Sequence, residues 1–277
     1  SSLILPPPDV FSFDKQYQFP KGFLFGVAGS AGQIEGASHE EGKGPSLIEK
    51  MVQSPNIDSS VTNENYYLYK QDILRLAAMG VETYSFSIPW TRILPFAVKG
   101  SPVNKLGLDH YDDLINFCIS QGITPMVTLH HFDTPLRYVQ SSKPNNTFKQ
   151  IYGGFDNETF VEDFVNYGKI VLTHFSDRVS TWVTFNQPFS VVGNPVGAKH
   201  ALQAHAQLYK FYHQELKATG KMGIKFSAGT AFPFDPSNKT DVEAAQRYQA
   251  LTIESFALPL SIGKQQPDIY RQIFSGS

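Results

Sequence analysis

Gly26-Val27-Ala28-Gly29-Ser30-Ala31-Gly32-Gln33-Ile34-Glu35-Gly36 is the stretch on which the fold turns. A short apolar run feeds into glycines, as it does where an open α/β sheet cradles a pyrophosphate. That architecture needs an apolar helix straight after the glycines and an acidic residue roughly 20 positions on. Here Gln33-Ile34-Glu35-Gly36 follows instead, so the signal for it is weak. A (β/α)8 barrel makes a different demand: polar residues just past the C-terminal ends of its strands, where such barrels place their chemistry. Gln33 meets it, and so do His130-His131 and Asn186-Gln187, each following a hydrophobic run. The barrel is the reading these ends favour.

The rest of the chain alternates in the same sense, strand then helix, the pattern of a parallel sheet wrapped by helices. Five strands are expected, at Phe23–Gly29, Val81–Ile88, Ile123–Phe132, Val179–Asn186 and Met222–Gly229. Each is short and rich in β-branched and aromatic residues, and three of them follow directly on a glycine that can end a preceding helix, as Gly80 and Gly122 do. Tyr69, Ile73, Leu76 and Ala77 recur at helical spacing, as do Leu108, Tyr111, Ile115 and Cys118, and then Phe160, Phe164, Tyr167 and Val171. Asn157 is the expected N-cap of that third helix. A fourth is expected over roughly Lys199 to Ala218, and a fifth opening on Thr240-Asp241-Val242-Glu243 as a capping box. No linker or repeat divides the sequence, so residues 1–277 read as one domain holding about five of the eight βα units of a barrel.

Composition excludes several function classes. The 23 Lys+Arg against 25 Asp+Glu leave a net charge of −2, which argues against a nucleic-acid or anionic-membrane partner. No apolar run approaches the ~20 residues of a membrane helix. His200, His205 and His213 share a helix without i, i+4 pairing, and there is no His-Glu-x-x-His, so neither a metal nor another cofactor is expected. The lone Cys118 falls on an apolar helical face and reads as core. Sequons at Asn145, Asn157 and Asn238 point to a glycosylated, extracellular protein. No signal peptide precedes them, and Ser1-Ser2-Leu3-Ile4-Leu5-Pro6-Pro7-Pro8 reads as a mature N-terminus or a loose strap.

Phe19-Pro20-Lys21-Gly22-Phe23-Leu24-Phe25-Gly26-Val27-Ala28 with Gln33-Ile34-Glu35-Gly36-Ala37 resembles the N-terminal signature of family 1 glycoside hydrolases, the β-glucosidase and myrosinase family. Phe86-Ser87-Ile88, Val127-Thr128-Leu129-His130-His131-Phe132-Asp133 and Tyr152-Gly153-Gly154-Phe155 continue the likeness in order. Thr184-Phe185-Asn186-Gln187-Pro188 matches the family's Thr-Phe-Asn-Glu-Pro box in all but one residue. The similarity runs from about residue 19 to about 270 and looks nearest to fungal secreted β-glucosidases.

The resemblance implies retaining hydrolysis of β-glucosides, in which two carboxyls about 5–5.5 Å apart flank an oxocarbenium-like transition state. It assigns Asn186 to the sugar 2-hydroxyl, and Gln33 and His131 to the outer hydroxyls. Gln187 falls at the acid/base position, where the family has Glu. An amide neither delivers a proton nor takes one from water, so the ~10²–10⁴-fold contribution of acid–base catalysis is expected to be lost. Ser85 stands where many members carry Arg beside the nucleophile, and Phe132 stands in place of the usual Trp. The loop between Gln187 and Lys199 is short for the family. Nothing like the family's Thr-Glu-Asn-Gly nucleophile box occurs among the 277 residues. The chain is therefore expected to be inactive alone and to need a C-terminal half, or self-association, to cover open sheet edges. A non-catalytic protein that binds sugar or a partner is the second expectation. A myrosinase-like thioglucosidase is the third, since that branch also carries Gln at this position, and an engineered Glu→Gln change is a fourth account of Gln187.

Overall fold

Five parallel strands form where the β-branched and aromatic runs predict them, but shorter: β1 Gly26–Ala28, β2 Thr83–Ser87, β3 Thr124–His130, β4 Thr181–Asn186 and β5 Lys221–Lys225. They pair in the order β1-β2-β3-β4-β5. The computed structural model describes residues 19–51, 60–140, 153–192, 194–227, 229–264 and 267. Asn145, Tyr152 and the Ser1–Pro8 opening lie outside those residues.

Early residues of the first three expected strands are lost for local reasons, whereas β5 starts one residue before the expected Met222 and stops at Lys225, four residues short of Gly229. Phe23, Leu24 and Phe25 are exposed, and the rings of Phe19, Phe23 and Phe25 pack on one another instead of on the sheet. Gly80 and Gly122 take left-handed φ values of 75° and 74°, ending their helices and delaying the strands that follow.

Ten α-helices flank the sheet among the described residues. They are α1 Ala31–Ile34, α2 Leu47–Met51, α3 Asn65–Ala78, α4 Trp90–Ile93, α5 Lys105–Ser120, α6 Leu136–Gln140, α7 Phe160–Phe175, α8 Pro195–Lys210, α9 Lys239–Gln249 and α10 Ser255–Ile262. None is long and apolar enough to cross a membrane. The expected stripes face inward: Ile73, Tyr111, Ile115, Cys118, Phe160, Phe164, Tyr167 and Val171 are all fully buried. Burial pushes the Cys118 thiol up to about 12, as a core cysteine requires. Trp90 sits among Tyr138, Tyr167, Phe160 and Phe164, with ring centroids 5.3–5.9 Å away.

Three helix starts differ from expectation, each through a competing side chain. The Asn157 carboxamide accepts from the Thr159 amide (2.9 Å) and hydroxyl, an Asx-turn ahead of α7 and not its cap. Helix α9 is capped by Asn238, which accepts from Thr240 N, and Thr240 itself lies inside the helix. Glu243 is drawn to Lys239 and Arg247, so no capping box closes. Helix α8 starts at Pro195, four residues before Lys199, and continues past Lys210 as a wide π-turn over Phe211–Glu215. Its cap is Asn194, whose Oδ1 accepts from Gly197 N (2.8 Å) while its Nδ2 donates to Asp156 (3.0 Å). Asn194→Ala is expected to cost about 1–2 kcal/mol in a denaturation experiment, since it removes a cap and strips a donor from Asp156. A loss below about 0.3 kcal/mol would show that Pro195 alone starts the helix.

Candidate functional site

Parallel pairing brings the C-terminal ends of all five strands to one rim, and the polar residues singled out from the sequence lie along it. Gln33 follows β1 on α1, exposed, with its Oε1 accepting from Ser30 Oγ. His131 and Phe132 follow β3, Asn186 ends β4, and Gln187 is the next residue. His131 and Asn186, 55 positions apart, touch directly: Asn186 Nδ2 donates to His131 Nε2 over 3.1 Å. Gln33 and Gln187 share the rim without a bond to that pair.

The His131 imidazole is held from both sides. Its backbone amide donates to Asp133 Oδ1 (2.8 Å), closing an Asx-type turn that points the ring over the rim. Burial depresses its pKa to about 4; neighbouring Asp133 opposes this, while His130 and Lys225 add smaller lowering contributions. At neutral pH it is therefore an uncharged ring whose Nε2 accepts from Asn186. His130, fully buried beneath it, is pushed down to about 3 by burial and shares a 2.9 Å bond with Thr134 Oγ1.

Two of the rim residues carry backbone strain. Phe132 (φ 65°) and Gln187 (φ 49°, ψ 54°) are left-handed without being glycine, a conformation costing on the order of 1–3 kcal/mol each. The turn at Gln187 sends its amide to Lys225 O (2.8 Å) and ties the end of β4 to the end of β5.

Two carboxyls lie behind the rim, both buried, both raised in pKa chiefly by burial. Glu35 accepts from Tyr111 OH (2.7 Å) and faces Arg92 at 3.8 Å. Asp133 spends Oδ1 on the His131 amide, and its Oδ2 is buried without a hydrogen-bond partner among the described residues. The groups that face the rim are thus two carboxamides, a carboxamide paired to a neutral imidazole, and an aromatic ring. These groups make hydrogen bonds in both directions without charge and suit the hydroxyls of a ligand, while Lys225, in register beside Asn186, adds a cation next to them.

Sequence reasoning missed Asp133 as the support of His131, though an Asp two residues past a strand-end His was a legible Asx-turn signal. It also missed Lys225. This lysine ends the strand Lys221-Met222-Gly223-Ile224-Lys225 and is followed by Phe226, and a cation between Ile224 and Phe226 was the available clue. Among the described residues no three His, Cys, Asp or Glu side chains gather as a metal cluster.

The family model of glycosyl hydrolase family 1 matches residues 15–275. Beta-glucosidase 13 of Arabidopsis thaliana is 33% identical over 95% of this chain and 57% of its own length. Among solved structures, an aphid myrosinase superposes with a TM-score of 0.81 at 29% identity, covering 92% of this chain and 58% of that one. A rice β-glucosidase mutant in a covalent complex with glucose gives 0.80 at 32% identity, with the same two coverages. The chain thus spans under three-fifths of the length of these relatives, and its sheet is five strands of a (β/α)8 barrel wall.

Proposed function

The chain belongs to glycosyl hydrolase family 1, and from that premise we propose that its rim is a β-glucoside pocket that binds sugar without hydrolysing ordinary O-glucosides. The observation that carries this reading is the His131–Asn186 pair. Two neutral groups from different strands are locked into one hydrogen-bonded unit at the end of the sheet where such barrels bind their ligands. In this reading Asn186 takes the 2-hydroxyl, Gln33 and His131 take the outer hydroxyls, and Phe132 lies under the ring. Gln187 meets the glycosidic oxygen with an amide, which offers a hydrogen bond and no proton.

Titration calorimetry with glucose and with cellobiose tests this, alongside an assay for glucose release. Binding of both is expected. Asn186→Ala should weaken it about 10-fold, the loss of one or two buried hydrogen bonds. No glucose should appear at enzymatic rates. Release of glucose from cellobiose by homogeneous protein, or the absence of any sugar binding, overturns the reading.

Gln187 favours one second reading, turnover of thioglucosides, whose leaving group departs without protonation. It expects reaction only with strongly acidic leaving groups, and only with a nucleophile supplied from outside these residues. The two sheet edges bear on how that would happen. β1 and β5 each lie at an end of the sheet, flanked by exposed Phe19, Phe23 and Phe25 on one side and Phe232 and Phe234 on the other. These features support a further segment of barrel, or a second copy, closing the sheet. The exposed sequon at Asn238, with those at Asn145 and Asn157, supports a secreted glycoprotein.

A further inference from the structure

We propose that Lys225 makes the floor of this pocket a carboxylate-binding site. The inference deepens the sugar-pocket reading and rests on it for the pocket's position. It begins with which way the strands face. On β2, Tyr84 and Phe86 belong to the core beneath the helices, so Ser85 and Ser87 point to the opposite face. On β5, Met222, Ile224 and Phe226 pack against that same core, and Lys225 points away from it. Both side chains therefore enter the concave side of the sheet.

There they meet. Lys225 Nζ donates to Ser85 Oγ over 2.8 Å. β3 and β4 lie between these strands, and three strand spacings in a flat sheet come to about 14 Å, well beyond a lysine's reach. The contact exists because the sheet curls, and it places the ammonium on the concave side between β5 and β2, beside Asn186 in strand register and close enough to bear on His131.

The ammonium has donors to spare. One of its three N–H bonds goes to Ser85, and that hydroxyl, having accepted, keeps its own hydrogen to donate. Asn186 adds a third donor type alongside. No ion pair engages Lys225 among the described residues, and burial alone holds it below the ordinary lysine range, with no carboxylate opposing. A partly buried cation without a counter-charge does not stabilise a fold. Its retention among ligand-facing groups marks a site for an anion. The ligand chemistry is a carboxylate, from either a sugar acid or an acidic side chain of a segment docking on the open side of the sheet.

The test follows Lys225 Nζ by NMR in the full 277-residue chain labelled with ¹⁵N-lysine, titrated with acetate, D-glucuronate or D-glucose. Either carboxylate should raise the titration midpoint of Lys225 by about one pH unit, a 10-fold preference for the charged form, and glucose should not. Glucuronate binding at least 10-fold tighter than acetate assigns the site to a sugar acid, whereas equal binding assigns it to a protein carboxylate. Lys225→Met should abolish the acetate response and Lys225→Arg should keep it. Because the lysine is not a structural tether, Lys225→Met should leave the melting temperature unchanged or raised. A melting temperature lowered by several degrees, no response to either carboxylate, or a response undiminished in Lys225→Met, overturns the proposal. Glucose binding without a carboxylate response would sink the anion site alone. A carboxylate response without glucose binding would sink the sugar reading alone.

Discussion

Arg92→Met is expected to destabilise the protein by about 3–5 kcal/mol, the cost of stripping one partner from a buried charged network. Arg92 is fully buried at the end of α4. Its Nη2 donates to Ala37 O and its Nη1 to Glu40 O, each at 3.0 Å, and its guanidinium lies 4.1 Å from the Tyr66 ring centroid. The carboxylate of Glu35 stands farther off, at 3.8 Å. The two carbonyls therefore carry the interaction, and Met leaves both without that donor.

Those carbonyls belong to the loop that follows Gln33, in which Ala37 and Glu41 hold left-handed φ values of 48° and 49°. Such a loop keeps its shape only while something over-determines it, and Arg92 is that clamp. Glu35→Gln should cost far less, under about 1.5 kcal/mol, because burial already favours its neutral form and Gln still accepts from Tyr111. Urea denaturation of the two single variants and the double variant measures the balance. Equal costs for Arg92→Met and Glu35→Gln would show that the ion pair is the main term. Weakened glucose binding in Arg92→Met is expected to accompany the loss of stability, since Gln33 sits at the loop's start.

Acid should begin to destabilise the protein well above the usual carboxylate range, with stability falling by about 3 kcal/mol per pH unit below pH 6.5. Burial holds His130 down to about 3 and His205 to about 4, and His110 and His131, which keep more solvent, to about 3 and about 4. Each has a folded pKa below its unfolded value. The stability they contribute is therefore complete above pH 6.5 and is lost as pH falls from there toward 4. Glu35 and Asp133 run the other way: their raised pKa values favour the folded state as they take up protons, and offset part of the loss. A net uptake of roughly two protons on unfolding gives the stated slope. For a total stability of about 5 kcal/mol, the low end of the usual range, that slope brings unfolding near pH 5. Denaturation midpoints at pH 7, 6 and 5 check it, and His205→Gln should shallow the slope by about one proton. A midpoint flat between pH 6.5 and 5 would mean that the buried imidazoles charge without cost.

Much of the architecture was legible in the sequence because it rests on short-range periodicity. Phe160, Phe164, Tyr167 and Val171 repeat at helical spacing whatever lies opposite them, and they are buried as that spacing requires. Strand positions and the polar residues at their ends follow from local runs in the same way. Element boundaries were less legible, since they depend on which of several nearby side chains wins a backbone amide. Asn238 took the cap that Thr240 was expected to take, and Asn157 spent its carboxamide on a turn two residues early.

Within the site, residue types and their rim position were set by sequence alone: Gln33, His131, Asn186 and Gln187 follow strands, and parallel strands put their ends together. What those residues touch was decided only in three dimensions. Asn186 reaches His131 across 55 positions, Arg92 reaches Ala37 across 55, and Lys225 reaches Ser85 across 140. Each contact depends on register and on how far the sheet curls, and curvature is settled by helices packing on its outer face, not by any run of neighbouring residues.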